Sequence, residues 1–180
     1  MIIQINISAE CEQLSLDKLW ELTDSEEIQG KVSAIRALAK IISTPNSLTE
    51  AKLKIKEDNL KELKKSLPLI IPQAADFDES IRKVQSNGEE IEVKGKWRRN
   101  ETIRFNGLDA IDLDHLPEPP IDYYKRWNEK WGTDDDGTPR LFSVLGIMCI
   151  YRSCRGQGLK VIFKADPSRG DLWDNQVWMA

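Results

Sequence analysis

One histidine, His115, and three scattered cysteines, Cys11, Cys149 and Cys154, are all the chain offers for imidazole or thiolate chemistry. No structural zinc site can be assembled from that stock. An odd number of dispersed thiols fits a reducing compartment better than a disulfide scaffold. A Ser-His-Asp or Cys-His enzyme would have to use His115, which sits in an acidic run, so triad chemistry is set aside. An excess of positive charge is also lacking. Twenty-six Lys and Arg stand against 30 Asp and Glu, a net charge of −4. That excludes a uniformly basic nucleic-acid coat and leaves room only for a local patch. The longest apolar run, LFSVLGIMCI at 141–150, falls far short of the roughly 20 residues that span a bilayer. The opening MIIQINISAECEQ has neither a basic n-region nor an apolar h-region, so no signal peptide is expected. The expected location is the cytoplasm, with no membrane partner. No internal repeat or low-complexity segment stands out.

What is present suits a globular protein. Forty per cent of the 180 residues are hydrophobic and 31% are charged, enough for a core and a wet surface. The length suggests one domain over 1–180, with 1–66 a mainly helical lead-in and 67–180 the sheet core. Isoleucines 3, 5 and 7 alternate and predict a short strand over 2–7. Ser15 is placed to cap a first helix, and Asp24 or Ser25 a second. Ile28, Val32, Ile35, Leu38, Ala39 and Ile42 recur there at helical spacing until Pro45. A third helix is expected over 48–65, its lysines and acids reading as a solvated face. LPLIIP, between two prolines, reads as a buried extended segment or a sheet edge. Residues 77–88 are ambiguous, and 90–94 could be a strand. Asn106-Gly107 marks a turn before a strand over 108–113. Residues 121–131 read as an aromatic-rich helix whose Tyr123, Tyr124, Trp127 and Trp131 favour core packing over a base platform. The stretch 141–151 is apolar enough for a central strand, and a Gly-rich loop joins it to LKVIF as a hairpin. The last fifteen residues support no assignment. Strand, helices, then several strands with a helix between them predict an α+β fold, a mostly antiparallel sheet with packed helices.

Two segments carry chemistry. LDAIDLDHL ends an apolar strand with Asp112 and Asp114 two residues apart. Strand alternation puts i and i+2 on one face, and paired carboxylates repel unless a cation lies between them. Mg²⁺ commonly takes one or two carboxylates together with substrate phosphates. The pair is therefore a candidate clamp for Mg²⁺ or Mn²⁺ in phosphoryl transfer, or else an acidic, solvated strand end. Asp109, outside that spacing, reads as a surface residue. The second segment is SCRGQGLKVIF. Gly156 and Gly158 allow close backbone approach to a phosphate, with amides free to face an anion, and Arg152, Arg155, Lys160 and Lys164 surround them. Lys160 is placed to hold a triphosphate as a point charge; the alternative is a plain hairpin turn. Between Lys94 and Arg104, Lys96, Arg98 and Arg99 flank Trp97. This run is a candidate backbone track with a base-stacking ring, or an exposed hairpin.

FNGLDAIDLDHL followed by SCRGQGLKVIF resembles the VirE N-terminal domain family, which is placed with the archaeo-eukaryotic primase (primase-polymerase) superfamily. SLDKLWEL, KVSAIRAL and LKELKKSLPLIIPQAADFD are similar to its helical lead-in, so the likeness covers nearly the whole chain. The resemblance implies an RRM-like primase-type sheet, with Asp112 and Asp114 as catalytic, metal-binding carboxylates. It implies a nucleotide-binding turn of Ser153, Arg155, Gly156 and Gly158, with Lys160 both nucleotide-binding and catalytic. It further implies a single-stranded nucleic-acid template, a nucleoside triphosphate, and a helicase-type ATPase partner in a mobile-element or phage-like replication setting. Three departures accompany it. Lys160 stands where such primases carry histidine, and Ser153-Cys154-Arg155-Gly156 replaces a Ser-Pro-Ser-Gly form. The third-motif carboxylate of a later strand has only Asp171 and Asp174 as candidates. Either these supply it, or the chain is a truncated piece, or the domain is an incomplete catalyst that serves as a binding module.

Overall fold

The computed structural model describes residues 1–4, 10–44 and 49–179. Of the strand expected over 2–7, positions 5–7 lie outside the described residues, as do Pro45 and Leu48. Among the described residues the fold is mixed α+β, with six helices, and every sheet pairing is antiparallel. Contacts divide the chain into two compact units, Met1–Asn106 and Gly107–Ala180. No helix among the described residues is long and apolar enough to cross a membrane.

The first unit contains β1 (Ile2–Gln4), β2 (Glu12–Gln13), α1 (Leu16–Asp24), α2 (Glu26–Ser43), α3 (Glu50–Lys65), β3 (Leu69–Ile71), β4 (Ala74–Phe77), β5 (Ser80–Ser86), β6 (Glu89–Gly95) and β7 (Ile103–Phe105). Helix starts follow their caps. Ser15 Oγ accepts the Lys18 N–H at 3.2 Å, and Ser25 Oγ, rather than Asp24, accepts that of Ile28 at 3.4 Å. Each satisfies an amide that the first helical turn leaves open. The LPLIIP segment is the edge strand β3 of a sheet ordered β2-β1-β3. Ile2, Cys11, Ala74 and Phe77 form one buried cluster, and Ile3, Leu14 and Leu19 another. The ambiguous stretch resolves into β4 and then a ribbon of β5 and β6, paired from Ser80↔Gly95 to Ser86↔Glu89. Asn87 and Gly88, with φ of 53° and 84°, make its turn, as the right-handed twist of a two-residue hairpin favours.

The second unit contains β8 (Leu108–Leu113), α4 (Pro120–Trp131), α5 (Arg140–Leu145), β9 (Ile147–Arg152), β10 (Leu159–Lys164) and α6 (Leu172–Met179). Its sheet runs β8-β10-β9, so LKVIF is the central strand. The strand expected over 141–151 is corrected. Its first half is α5, Gly146 turns left-handed at φ 65° to end that helix, and only Ile147–Arg152 is extended, at the sheet's edge. Apolar spacing decides this: Leu141 and Leu145, four apart, share a helical face and are both buried. They join Ile147, Val161, Phe163 and Met179 in the core, against which Tyr124, Trp127 and Trp131 pack. The unassigned tail closes as α6, whose first turn is braced by Asp171 and Asp174. Asp171 Oδ1 accepts the Asp174 N–H at 3.0 Å, and Asp174 Oδ2 accepts the Asp171 N–H at 3.2 Å.

Candidate functional site

The two chemistry-bearing segments meet in the second unit because β8 and β10 are neighbours. Their register sets Lys160 opposite Asp112 and Leu159 opposite Leu113. A cross-strand pair of this kind brings side chains on one face within reach, and Lys160 Nζ donates to Asp112 Oδ1. On the other side of β10, Lys160 faces Tyr151 of β9. Asp112, Lys160 and Tyr151 thus form one row across the three strands. By alternation they lie on the face opposite Val161, Phe163 and the helix-covered core.

Asp114 follows directly after β8 and is exposed, and His115 after it takes a left-handed φ of 55°. Gly158 is pressed against this strand end. A Cβ there would stand 2.5 Å from the Leu113 carbonyl oxygen and 2.7 Å from Asp114 Oδ1. Only glycine lets the loop come so close. Asp112, Asp114 and the Gly158–Lys160 segment are therefore brought together in one unit.

The loop itself is held by its own hydrogen bonds. Ser153 N–H donates to the Gly158 carbonyl at 2.9 Å, Gly156 N–H to the Ser153 carbonyl at 2.8 Å, and Gly158 N–H to Ser153 Oγ at 3.2 Å. Arg152 Nε donates to the Gly156 carbonyl at 2.9 Å. The expectation that the Gly156 and Gly158 amides face an anion is thereby corrected: both are satisfied inside the turn. Ser153 is a buried brace, while Arg155 is exposed at the loop's tip and available to an anion. Residues 153–158 act as a rigid spacer that fixes the pairing of 152 with 159, and so of Tyr151 with Lys160.

Tyr151 escaped sequence reasoning, although counting back from a loop of 153–158 would have set it beside Lys160. Burial, with Cys149 and Asp112 nearby, pushes its phenol up to about 12, and burial raises the Cys149 thiol to about 11. Both groups ionise later in the folded protein than in the unfolded chain, where their ordinary values are 10.0 and 9.0. The unfolded state therefore releases protons first as pH rises. The stability these groups contribute is complete below about pH 9 and is lost up to about pH 12. In denaturant titrations across that window, Tyr151→Phe should flatten the alkaline decline. An unchanged decline would show that Tyr151 has no part in it.

Other expectations land elsewhere. Asp109 is fully buried rather than at the surface. It faces away from Asp112, and its Oδ1 accepts from Gln176 Nε2 at 3.0 Å and from the Ala110 N–H at 2.7 Å. Asp171 and Asp174 bind each other's amides at the start of α6. Among the described residues, no group of three or more His, Cys, Asp or Glu side chains could hold a metal ion. Asp112, paired with Lys160, and the exposed Asp114 are two carboxylates, a number that would suit Mg²⁺ or Mn²⁺ only together with substrate phosphates.

The basic run of the first unit is neutralised more than its sequence suggests. Lys96 Nζ holds Asp76 Oδ2 at 2.6 Å and keeps that carboxyl below its usual range. Lys94 pairs with Glu79 at 2.5 Å, and Arg104 with Asp78. Arg99 donates to the Ile81 carbonyl at 2.9 Å. Trp97 is only 7% exposed, beneath the Arg82 guanidinium at 5.4 Å. A ring so enclosed is not offered for stacking, which corrects its expected role. Arg98 remains exposed. The chain matches no family model, no curated protein and no solved structure.

Proposed function

We propose that the chain is a primase-polymerase-like domain of a DNA replication or mobile-element protein, akin to the VirE N-terminal family, which engages a nucleoside triphosphate on a single-stranded template. In this reading its second unit supplies an RRM-like, primase-type sheet. One observation carries it: Lys160 on the central strand opposes Asp112, while Gly158 abuts Asp114. Acid, cation and glycine turn converge, as nucleotidyl transfer requires. Asp112 and Asp114 would hold Mg²⁺ or Mn²⁺, which would supply neutralisation of phosphate charge at the triphosphate. Lys160 exchanges Asp112 for a phosphate oxygen, steadying the leaving pyrophosphate as a point charge. Arg155, at the exposed loop tip, adds a second cation.

A second reading is favoured by the internally satisfied loop amides and by the absence of a third carboxylate among the described residues. Here the same site binds nucleotide or nucleic acid without chemistry and serves a helicase-type ATPase. A primer-synthesis assay with Mn²⁺ and labelled nucleotides, run beside Asp112→Asn/Asp114→Asn, separates them. Incorporation that the double variant loses by about 10²-fold or more supports the enzyme. Template binding without incorporation in either protein supports the module. No incorporation and no binding would dispose of both.

A further inference from the structure

The second unit has a cleft of about 520 Å³, a size typical of small-ligand sites. Its walls concentrate aromatic rings and cations. Three of the chain's six tryptophans, Trp127, Trp131 and Trp178, line it together with Tyr123, Arg126 and Lys130. The cations lie against the rings. The Arg126 guanidinium sits 4.9 Å from the centre of Tyr123, and that of Arg169 sits 3.5 Å from the centre of Trp178. Arg126 is held in place by Glu118 at 2.6 Å. Lys130, exposed, pairs with no carboxylate among the described residues. The Trp131 indole N–H is shielded from solvent and meets no acceptor there. Trp127 and Trp131 also pack on the core, so their rings are rigid supports rather than mobile surface groups.

Flat π-faces and a free ammonium at one cleft suit a ligand with a planar ring and a negative charge. We infer that this cleft binds a nucleotide unit, its base against the indole rings and its phosphate at Lys130. Base–aromatic stacking with adjacent cations is how single strands are held without sequence preference. Leu113 of β8 also lines the cleft, immediately between Asp112 and Asp114 in sequence. The inference rests on the preceding reading only for the class of ligand; it needs neither the metal nor the chemistry. The unit could come from a strand or from a free nucleotide, and the two sources are tested side by side.

The test uses the full chain in metal-free buffer. One arm follows the anisotropy of a labelled oligothymidylate of about 12 nucleotides, and the other the quenching of tryptophan emission by thymidine monophosphate. Trp178→Ala should weaken binding roughly tenfold or more. The exposed Lys130→Gln, which puts no packing at risk, should weaken it and reduce the salt slope by about one. Lys61→Gln, on the exposed face of α3 in the first unit, should bind as the unaltered chain does. Binding by the oligomer alone identifies a strand, and equal Lys130 dependence in both arms identifies the free nucleotide; either supports the cleft. No binding in either arm, or binding indifferent to both Trp178 and Lys130, overturns it. Lost incorporation with this binding intact would count against the catalytic reading alone.

Discussion

Replacing Gly158 by alanine is expected to lower the melting temperature by about 2–12 °C and to disturb the acidic strand end at the same time. The argument is steric. Gly158 does not occupy a left-handed conformation, so alanine has no backbone penalty of its own there. What it meets is the Leu113 carbonyl oxygen at 2.5 Å and Asp114 Oδ1 at 2.7 Å. The carboxylate can swing aside. The carbonyl belongs to β8, and the next residue of the loop, Leu159, is already registered against Leu113. Relief therefore requires β8 and β10 to part at this end, and overpacking of this kind costs about 1–3 kcal/mol. Gly137→Ala is the fitting comparison. At φ 83° with nothing within 4 Å, it meets conformational strain but no neighbour. Thermal unfolding followed by circular dichroism checks the pair. A Gly158→Ala protein that melts no lower than the Gly137→Ala protein would mean that the loop does not press on the acidic strand.

Phe163→Ala should be still more damaging, by about 3–5 kcal/mol. Phe163 is fully buried on the central strand and belongs to the core of the second unit. Removing its ring leaves a void beneath both flanking strands, and the loss is comparable with the whole stability of a small domain, about 5–15 kcal/mol. The expected result is a denaturant midpoint shifted sharply down, with weakened near-ultraviolet dichroism from the aromatic residues packed on that core. Lys160→Met, on the opposite face of the same strand, supplies the contrast. Its ion pair with Asp112 is partly open to water, with side chains 34% and 54% exposed, and pairs of that type are worth about 0–1 kcal/mol. That variant should fold normally and, on the proposed reading, show its defect only in nucleotide binding or incorporation. Similar midpoints for the two variants would place Phe163 outside the core.

The features legible in the sequence were those set by short-range rules. Leu108–Leu113 is mostly apolar and is bounded by Asn106-Gly107 and by prolines, and it is a strand. Ser15 and Ser25 announce their helices through a single oxygen each. The hairpin of β9 and β10 follows from its glycines. What stayed hidden depends on partners distant in sequence. The apolar run at 141–151 has no charged residue to mark where helix yields to strand; Gly146 is the punctuation, and burial of Leu141 and Leu145 decides the matter. Asp109 looks like a surface acid until Gln176 of α6 comes to meet it. The basic run at 94–104 looks like a phosphate track until Asp76, Asp78 and Glu79 supply counter-charges from fifteen or more residues earlier. Asn87-Gly88 is a hairpin signal legible in the sequence, and it forms the turn of β5 and β6.

The ribbon of β5 and β6 has a consequence for how molecules of this protein behave in company. Among the described residues its two strands pair only with each other, so its rims are sheet edges to which a stranger's strand could dock, although Arg99 holds the Ile81 carbonyl, and Ile81 and Ile91 stand exposed on its two faces. Such a surface invites stacking into fibrils. Lys83 and Glu90, locked together across the ribbon at 2.8 Å, with Lys94 and Glu79 at its base, line that surface with charge that any stacked copy would have to strip of water. Charge placed there disfavours edge-to-edge pairing between copies.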